Sequence, residues 1–443
     1  MSVLRRFPII ITPVLAFVLL SLGANWPQWR GPGSQGRSPE AKFPTEWSPE
    51  KNVAWRTEIP GRGHSSPIVW DDRVFLTTAI EGAIVDGAKA VRHTLEGEEF
   101  VHPESVGADR SQTLKVLCLH RDTGKILWDQ SVFEGIVYDA RHKKGSFASP
   151  TSVTDGRRVY SYFGPEGVYC HDFDGKEVWR ASVGKIATLG MGVGSSPVLF
   201  EKLLLLQCDE DGGESSAIIG IEAATGKLVW KTSRKAQVSW TTPVLLEAAG
   251  SAELFVAGVE LMTAYEPKTG KELWHSKGLE SNAIHTPLVG DGLVIASAGY
   301  PSKRVMALRR GARDEASDGT KIEWSYNKGP SYVASPVLYE GRVYIVSDRG
   351  VVTCLDAKSG EVKYEDGRVQ AGSPFTASPV AFDGKVLLTS DEGDTFVIKA
   401  SEKFELLRTN PIGEQVLASP ALSQGRIFLR GVKHLWCLRE MGA

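Results

Sequence analysis

The chain has 443 residues, of which 42% are hydrophobic, 23% charged and 9% aromatic, with a formal net charge of −2. That apolar content and balanced charge exclude a disordered chain, and the charge leaves no basic footprint for nucleic acid. Five Cys are too few for a disulfide scaffold, while 46 Gly and 12 Trp point to many short strands joined by tight turns.

Arg5 and Arg6 precede an apolar run from Phe7 to Leu22, with small residues at Gly23 and Ala24. A basic start, an apolar centre and a small-residue end predict a secretory signal peptide over residues 1–24. The run carries Pro8 and Pro13 and is short for a membrane span. No Cys lies near the cleavage site, so no lipid anchor is expected. The expected product is exported, periplasmic or extracellular, and soluble after cleavage. Residues 25–50 follow as an N-terminal arm, and 51–443 as a single repeat domain.

A small residue, a Pro and an apolar run recur at Pro67, Pro150, Pro197, Pro243, Pro287, Pro336, Pro379 and Pro420. The first spacing is 83 residues, lengthened by an insertion at about 81–112; the other six average 45. A second pattern closes each unit, as in HRDTGKILW to Trp128 and HDFDGKEVW to Trp179. Further copies end at Trp230, Trp274 and Trp324, and weaker ones at Tyr364 and about Leu407.

Each unit parses as four strands, A to D. Strand A starts at the Pro, which a strand start or sheet edge tolerates. X-Gly pairs such as Asp291-Gly292 and Asp383-Gly384 suit tight A–B hairpins, because Gly accepts positive φ. No window sustains a helical period. Four-stranded units about every 45 residues predict an all-β fold, an eight-bladed β-propeller of four-stranded antiparallel blades, with seven blades as the alternative count. The eighth unit stops after strand C, while Asn52 to Thr57 carries Trp55 in the aromatic slot and lacks its own A, B and C. The N-terminal strand is therefore expected to close the last blade.

The turns Gly226-Lys227-Leu228-Val229-Trp230 and Gly270-Lys271-Glu272-Leu273-Trp274, each preceded by Thr, resemble the tryptophan-docking motif of pyrroloquinoline quinone (PQQ) propeller repeats. The resemblance implies that Trp55, Trp128, Trp179, Trp230, Trp274 and Trp324 dock between blades. The family holds PQQ-dependent dehydrogenases and non-catalytic scaffolds such as the outer-membrane assembly factor BamB. The arm segment Trp26-Pro27-Gln28-Trp29-Arg30-Gly31-Pro32 further resembles exported PQQ-repeat proteins of planctomycete-like bacteria.

The dehydrogenases of that family carry adjacent Cys residues and a cation held by Glu, Asn and Asp. Here Cys118, Cys170, Cys208, Cys354 and Cys437 are isolated, and no matching ligand motif is seen. The expectation is a binding or scaffold protein of the cell envelope with no catalytic residues, no metal and no assigned cofactor. The alternative is a PQQ-dependent alcohol or aldose dehydrogenase using PQQ with Ca²⁺ at a divergent funnel site. A carbohydrate-binding or hydrolytic propeller is a third reading.

The loops entering strand A and the B–C loops share one face, and a concave mouth there is the default ligand site. The loops before strand A offer Arg62, His64, Arg141, His142, Lys143, Trp240, His285 and Tyr332; the B–C loops offer Asp348, Arg349, Asp391 and Arg430. This aromatic and cationic set suits a small planar anionic ligand. The expected partner is an envelope protein, with no nucleic acid, and the chain is expected to be a monomer. The acidic run from Asp209 to Glu214 reads as a solvated hairpin loop. His93 and His102, in the insertion with Glu96, Glu98 and Glu99, lack a recognised metal spacing.

Overall fold

Eight four-stranded antiparallel sheets succeed one another along the chain. They are seen in a computed structural model that describes residues 25–442 except 90, 96, 249–250, 260, 281, 311–321 and 371. The predicted signal peptide lies outside the described residues. In seven sheets the strand order follows the sequence, A-B-C-D. The eighth takes Ala421–Ser423, Arg426–Arg430 and His434–Leu438 as A, B and C, and Val53–Glu58 as D. The fold is an eight-bladed β-propeller, closed by pairing Val53 with Leu438 and Glu58 with His434. That pairing removes the open edge a linear array of sheets would leave. Among the described residues the only helical turns are two short 3₁₀ segments, Pro32–Ser34 and Gly164–Glu166.

The core lies between blades. One buried cluster joins blades 2 and 3 (Tyr160, Trp179, Leu204, Ile219), and another joins blades 6 and 7 (Tyr344, Tyr364, Phe396). Where the ring closes, Trp26, Phe43 and Trp47 of the arm join residues of blades 1, 7 and 8 in one cluster. Each buried side chain of this size contributes about 1.5–3 kcal/mol, so closure is driven by packing as well as by the ladder.

The aromatic slot has a paired column. Across the C–D ladder, Trp128 faces Cys118, Trp179 faces Cys170, Trp230 faces Gly220, Trp274 faces Ala264 and Trp55 faces Cys437. A small partner leaves room for the indole: a Cβ on Gly220 would lie 2.4 Å from the Trp230 ring. Four indoles also donate forward to the next blade: Trp55 Nε1 to the Arg121 carbonyl, Trp128 to Phe173, Trp179 to Ala223 and Trp324 to Ala357, at 2.8–3.0 Å. Trp274 instead donates to Glu253 of its own blade.

The small residues before strand A do more than relieve crowding. The Ser66 amide donates to Thr151 Oγ1, Thr151 to Ser196 Oγ, and Ser196 to Thr242 Oγ1. The same step runs from Thr286 to Ser335, Ser378 and Ser419. These two runs form a belt of hydroxyl bonds around the channel. They also correct the register of blade 2. There Thr151 and Ser152, not Ser149 and Pro150, occupy the belt and proline positions, since Val153 pairs with Tyr160 as Ile68 pairs with Phe75. Its A–B turn is correspondingly different: Gly156 has positive φ but Asp155 does not, whereas Asp291-Gly292 and Asp383-Gly384 have it at both residues.

The arm crosses the inner ends of the blades. Trp26 bridges to Val69 of blade 1, the Pro27 carbonyl accepts from Thr154 of blade 2, and Trp29 Nε1 donates to Thr286 of blade 5. Arg30, 1% exposed, caps the carbonyls of Ser335 and Pro336 in blade 6, and Arg37 bridges to Ala381 of blade 7. Glu40 then accepts from the Gln424 and Gly425 amides in the A–B turn of blade 8. One short segment therefore ties opposite sides of the ring together on the face away from the mouth.

Candidate functional site at the mouth of the propeller

The insertion makes blade 1 unlike the rest. Its strands B (Arg73–Ile84), C (Arg110–His120) and D (Ile126–Ile136) have 11 or 12 residues, against five to seven in those of the other blades. Between B and C the chain forms a hairpin (His93–Leu95 with Glu98–Phe100). Ser105–Val106 then pairs with Arg141–His142, ahead of strand A in blade 2.

His93 fixes this hairpin to the ring. It is 5% exposed, with Nδ1 2.6 Å from Asp211 Oδ2 and Nε2 3.1 Å from Asp139 Oδ1. Burial alone would lower its pKa, but hydrogen bonds to both carboxylates outweigh that and raise it to about 9. The ring is therefore an imidazolium near neutral pH. The two carboxylates approach opposite edges of the ring, which is the geometry of a clamp. Asp139 also accepts from Ala140 N, Thr188 N and Thr188 Oγ1, and Asp211 from Leu189 N.

The loop from Asp209 to Glu214 is thus not simply solvated. Asp209 is buried 3.6 Å from Arg234, and burial raises its pKa to about 6. Glu166 lies beside Asp139 in a narrow crevice walled by Phe147, Phe163, Ile186 and Val193. Burial lifts its pKa to about 7, against the hydrogen bond from the Tyr138 amide. Sequence reading missed Asp139 and Glu166 because isolated carboxylates in loops between strands carry no sign of a cross-blade partner.

The predicted site residues separate into three groups. Arg62, His64, Arg141 and Lys143 come together. Arg62 Nη1 and Arg141 Nη1 both donate to the Lys143 carbonyl, at 2.9 and 3.3 Å. Arg141 also pairs with Glu81 at 3.1 Å, and its guanidinium lies over Phe147. Glu104 of the insertion holds both His142 (2.6 Å) and Lys143 (2.7 Å). Arg430 joins this wall from blade 8, with Nη1 donating to Ser65 O and Ser65 Oγ.

A second group lies in blades 5 to 7. Asp348 accepts from the Tyr332 amide, and Tyr332 packs on Tyr300 with ring centroids 5.0 Å apart. Asp391 accepts from Thr376 N and Oγ1. Burial raises the pKa of both carboxyls, and Lys144 opposes that shift at both. Arg349 is exposed, its amide donating to Ser347 Oγ.

The third group is engaged in the wall itself. His285 is fully buried, with Nδ1 on Ser297 Oγ and Nε2 on the Ser331 carbonyl, and burial lowers its pKa to about 4. Trp240 Nε1 donates to the Gly192 carbonyl at 2.8 Å.

The mouth matches a quinone cofactor only in part. Its cations suit carboxylates, but among the described residues no three His, Cys, Asp or Glu side chains converge to hold a metal ion beside it. The five Cys are all buried and free, in strands of different blades or on different strands, so no adjacent pair lines the mouth. The mouth therefore offers cations for the quinone's carboxylates, with no Cys pair beside it.

Repeat, blade closure and tryptophan column define the class: a PQQ-like β-propeller. The chain belongs to the family described as outer membrane protein assembly factor BamB, whose profile matches residues 112–363. It is 31% identical over 153 residues to the outer membrane protein assembly factor BamB of Burkholderia pseudomallei, a match spanning 34% of each chain. Among solved structures it is similar to BamB from Moraxella catarrhalis, at 12% identity and TM-score 0.54, covering 83% of this chain and 99% of that one. It is also similar to the quinohemoprotein alcohol dehydrogenase of Comamonas testosteroni, at 11% identity and TM-score 0.66, covering 95% of this chain and 81% of that one. At these identities the structural likenesses establish the fold.

Proposed function

We propose that the chain is an exported, non-catalytic propeller that binds and holds a protein partner in the cell envelope. The observation that carries this reading is the blade 1 insertion. It is braced by His93, Glu104 and the Ser105–Val106 ladder, yet Ile84, Val85, Leu95, Val101 and Val106 on it are 40–73% exposed, as is Ile136 (37%) at the end of strand D. Aliphatic side chains gathered in water on one braced insertion fit a protein contact. Membership of the BamB family supports the same reading. Among the described residues no helix is long and apolar enough to cross a membrane.

The test is cross-linking in the native envelope. Wild-type protein is expected to give a defined adduct through the insertion, and a variant with Ile84, Val85 and Val101 changed to Ser is expected to lose it while keeping its fold. An adduct unchanged by those substitutions would sink the reading. The cationic wall favours a second reading, a PQQ-dependent oxidoreductase. Titration with PQQ and Ca²⁺, followed by dye reduction with alcohols and aldoses, tests that one; saturable binding with turnover would replace the scaffold proposal.

A further inference from the structure

The wall formed by blades 8, 1 and 2 carries more positive charge than its neighbours offset. Arg430 is 3% exposed and pairs with no carboxylate among the described residues; Nη1 is held by Ser65. Its guanidinium lies so close to Gly63 that a Cβ there would be 2.1 Å from Nη2, so the glycine is required for Arg430 to occupy this place. Arg62 also lacks a carboxylate partner among the described residues. It shares the Lys143 carbonyl with Arg141, which brings two guanidinium groups together. The carboxylate in reach is Glu81, 41% exposed and divided between Arg141 and Arg110.

His64 lies among these groups. Its Nε2 is buried and has no hydrogen-bond partner. Burial first, then Arg430, Arg62 and Arg141, lower its pKa to about 3, so the ring is neutral and offers a donor or an acceptor without adding charge. Arg30 is a useful contrast. It is equally buried, but its guanidinium caps backbone carbonyls of blade 6 and of the arm, which gives it a structural role. The charged groups around His64 are Arg62 from its own loop, Arg141 from the blade 2 approach and Arg430 from blade 8, with Glu81 behind Arg141.

We propose that Arg62, His64, Arg141 and Arg430 form an oxyanion-binding site that takes one carboxylate or phosphate group at the mouth of the propeller. Guanidinium groups recognise such oxygens through paired N–H donors, and a bound anion relieves the repulsion between the adjacent arginines. The neutral imidazole satisfies its buried nitrogen in the same step. This inference is independent of the partner contact proposed for the insertion, because it uses none of the exposed aliphatic residues.

The experiment follows the His64 ring signals by NMR in the full folded chain during titration with inorganic phosphate and, separately, with succinate. Saturable one-to-one shifts are expected with at least one probe, and the two arms distinguish a phosphate from a carboxylate site. The His64 pKa should rise on saturation. Arg62→Gln, an exposed position, and Arg430→Gln should each weaken binding by about tenfold or more. Lys268→Gln, in the C–D turn of blade 4, should leave it unchanged. If Arg430→Gln fails to fold, Arg62→Gln still decides the matter. No saturable shift with either probe, or a shift that Arg62→Gln leaves intact, overturns the site.

Discussion

His93 Nδ1 lies 2.6 Å from Asp211 Oδ2, so one imidazolium in the blade 1 insertion is held by a carboxylate from blade 3. The bond spans 118 residues of sequence. It brings the insertion down over the neighbouring blades and gives its attachment a pH dependence. The folded pKa of about 9 lies above the ordinary value of 6.5. The stabilisation is therefore fully present below about 6.5 and is lost as pH rises through about 9. Its size is on the order of 3 kcal/mol. The protection of amides across residues 81–112, taken relative to the intrinsic exchange rate at each pH, should be high at pH 6 and markedly lower at pH 10. Asp211→Asn should lower that protection already at neutral pH. Equal protection at both pH values would rule out the clamp.

Gly220→Ala is expected to destabilise the fold through blade 3. The new Cβ would meet the Trp230 indole at 2.4 Å, and the ring cannot retreat because it packs against Gly270 of the next blade. Overpacking of this kind costs roughly 1–3 kcal/mol. Urea unfolding should report it as a lower midpoint, with Ala264→Gly in the equivalent column position as a milder comparison.

Trp26→Ala should loosen the arm. Trp26 is 1% exposed, pairs with Val69 and belongs to the cluster that closes the ring. Loss of a buried indole costs about 3–5 kcal/mol. Thermal unfolding should shift down, and limited proteolysis should cut within residues 25–50 before it cuts the blades. Cleavage that begins in the blades would contradict the role of the arm.

The thiols should be inert in the folded protein. Cys118, Cys170, Cys208, Cys354 and Cys437 are buried, and burial pushes each up to about 12. Only the thiolate reacts readily. A chromogenic disulfide reagent at pH 8 should titrate none of the five before denaturant is added and all five afterwards. Rapid reaction of one thiol in the native state would show that its blade opens.

The repeat determined a great deal by itself. Eight Pro-centred units, the closing Trp column and the orphan strand around Trp55 specified an eight-bladed ring closed by its N-terminal strand, because each blade is a local unit with its own turns and pattern. Even the small residues facing the indoles, Cys118, Cys170, Gly220 and Ala264, form a column readable by counting. The misplaced register in blade 2 shows the limit. A Pro at position 150 imitates the motif, and only the pairing of Val153 with Tyr160 shows that Thr151 and Ser152 fill the slots.

What the tertiary structure decided is almost everything that joins blades. His93 meets Asp139 and Asp211, Arg430 meets Ser65, and Arg30 meets Ser335 and Pro336, across separations of 46 to 365 residues. Chain order cannot announce such pairs, since closing the ring places residues side by side whatever their distance along the sequence. The same closure separates His285, used up inside the wall, from His64, left with an unpartnered nitrogen at the mouth. By sequence both are a histidine just before a strand A; only their surroundings make one structural and the other a candidate for binding.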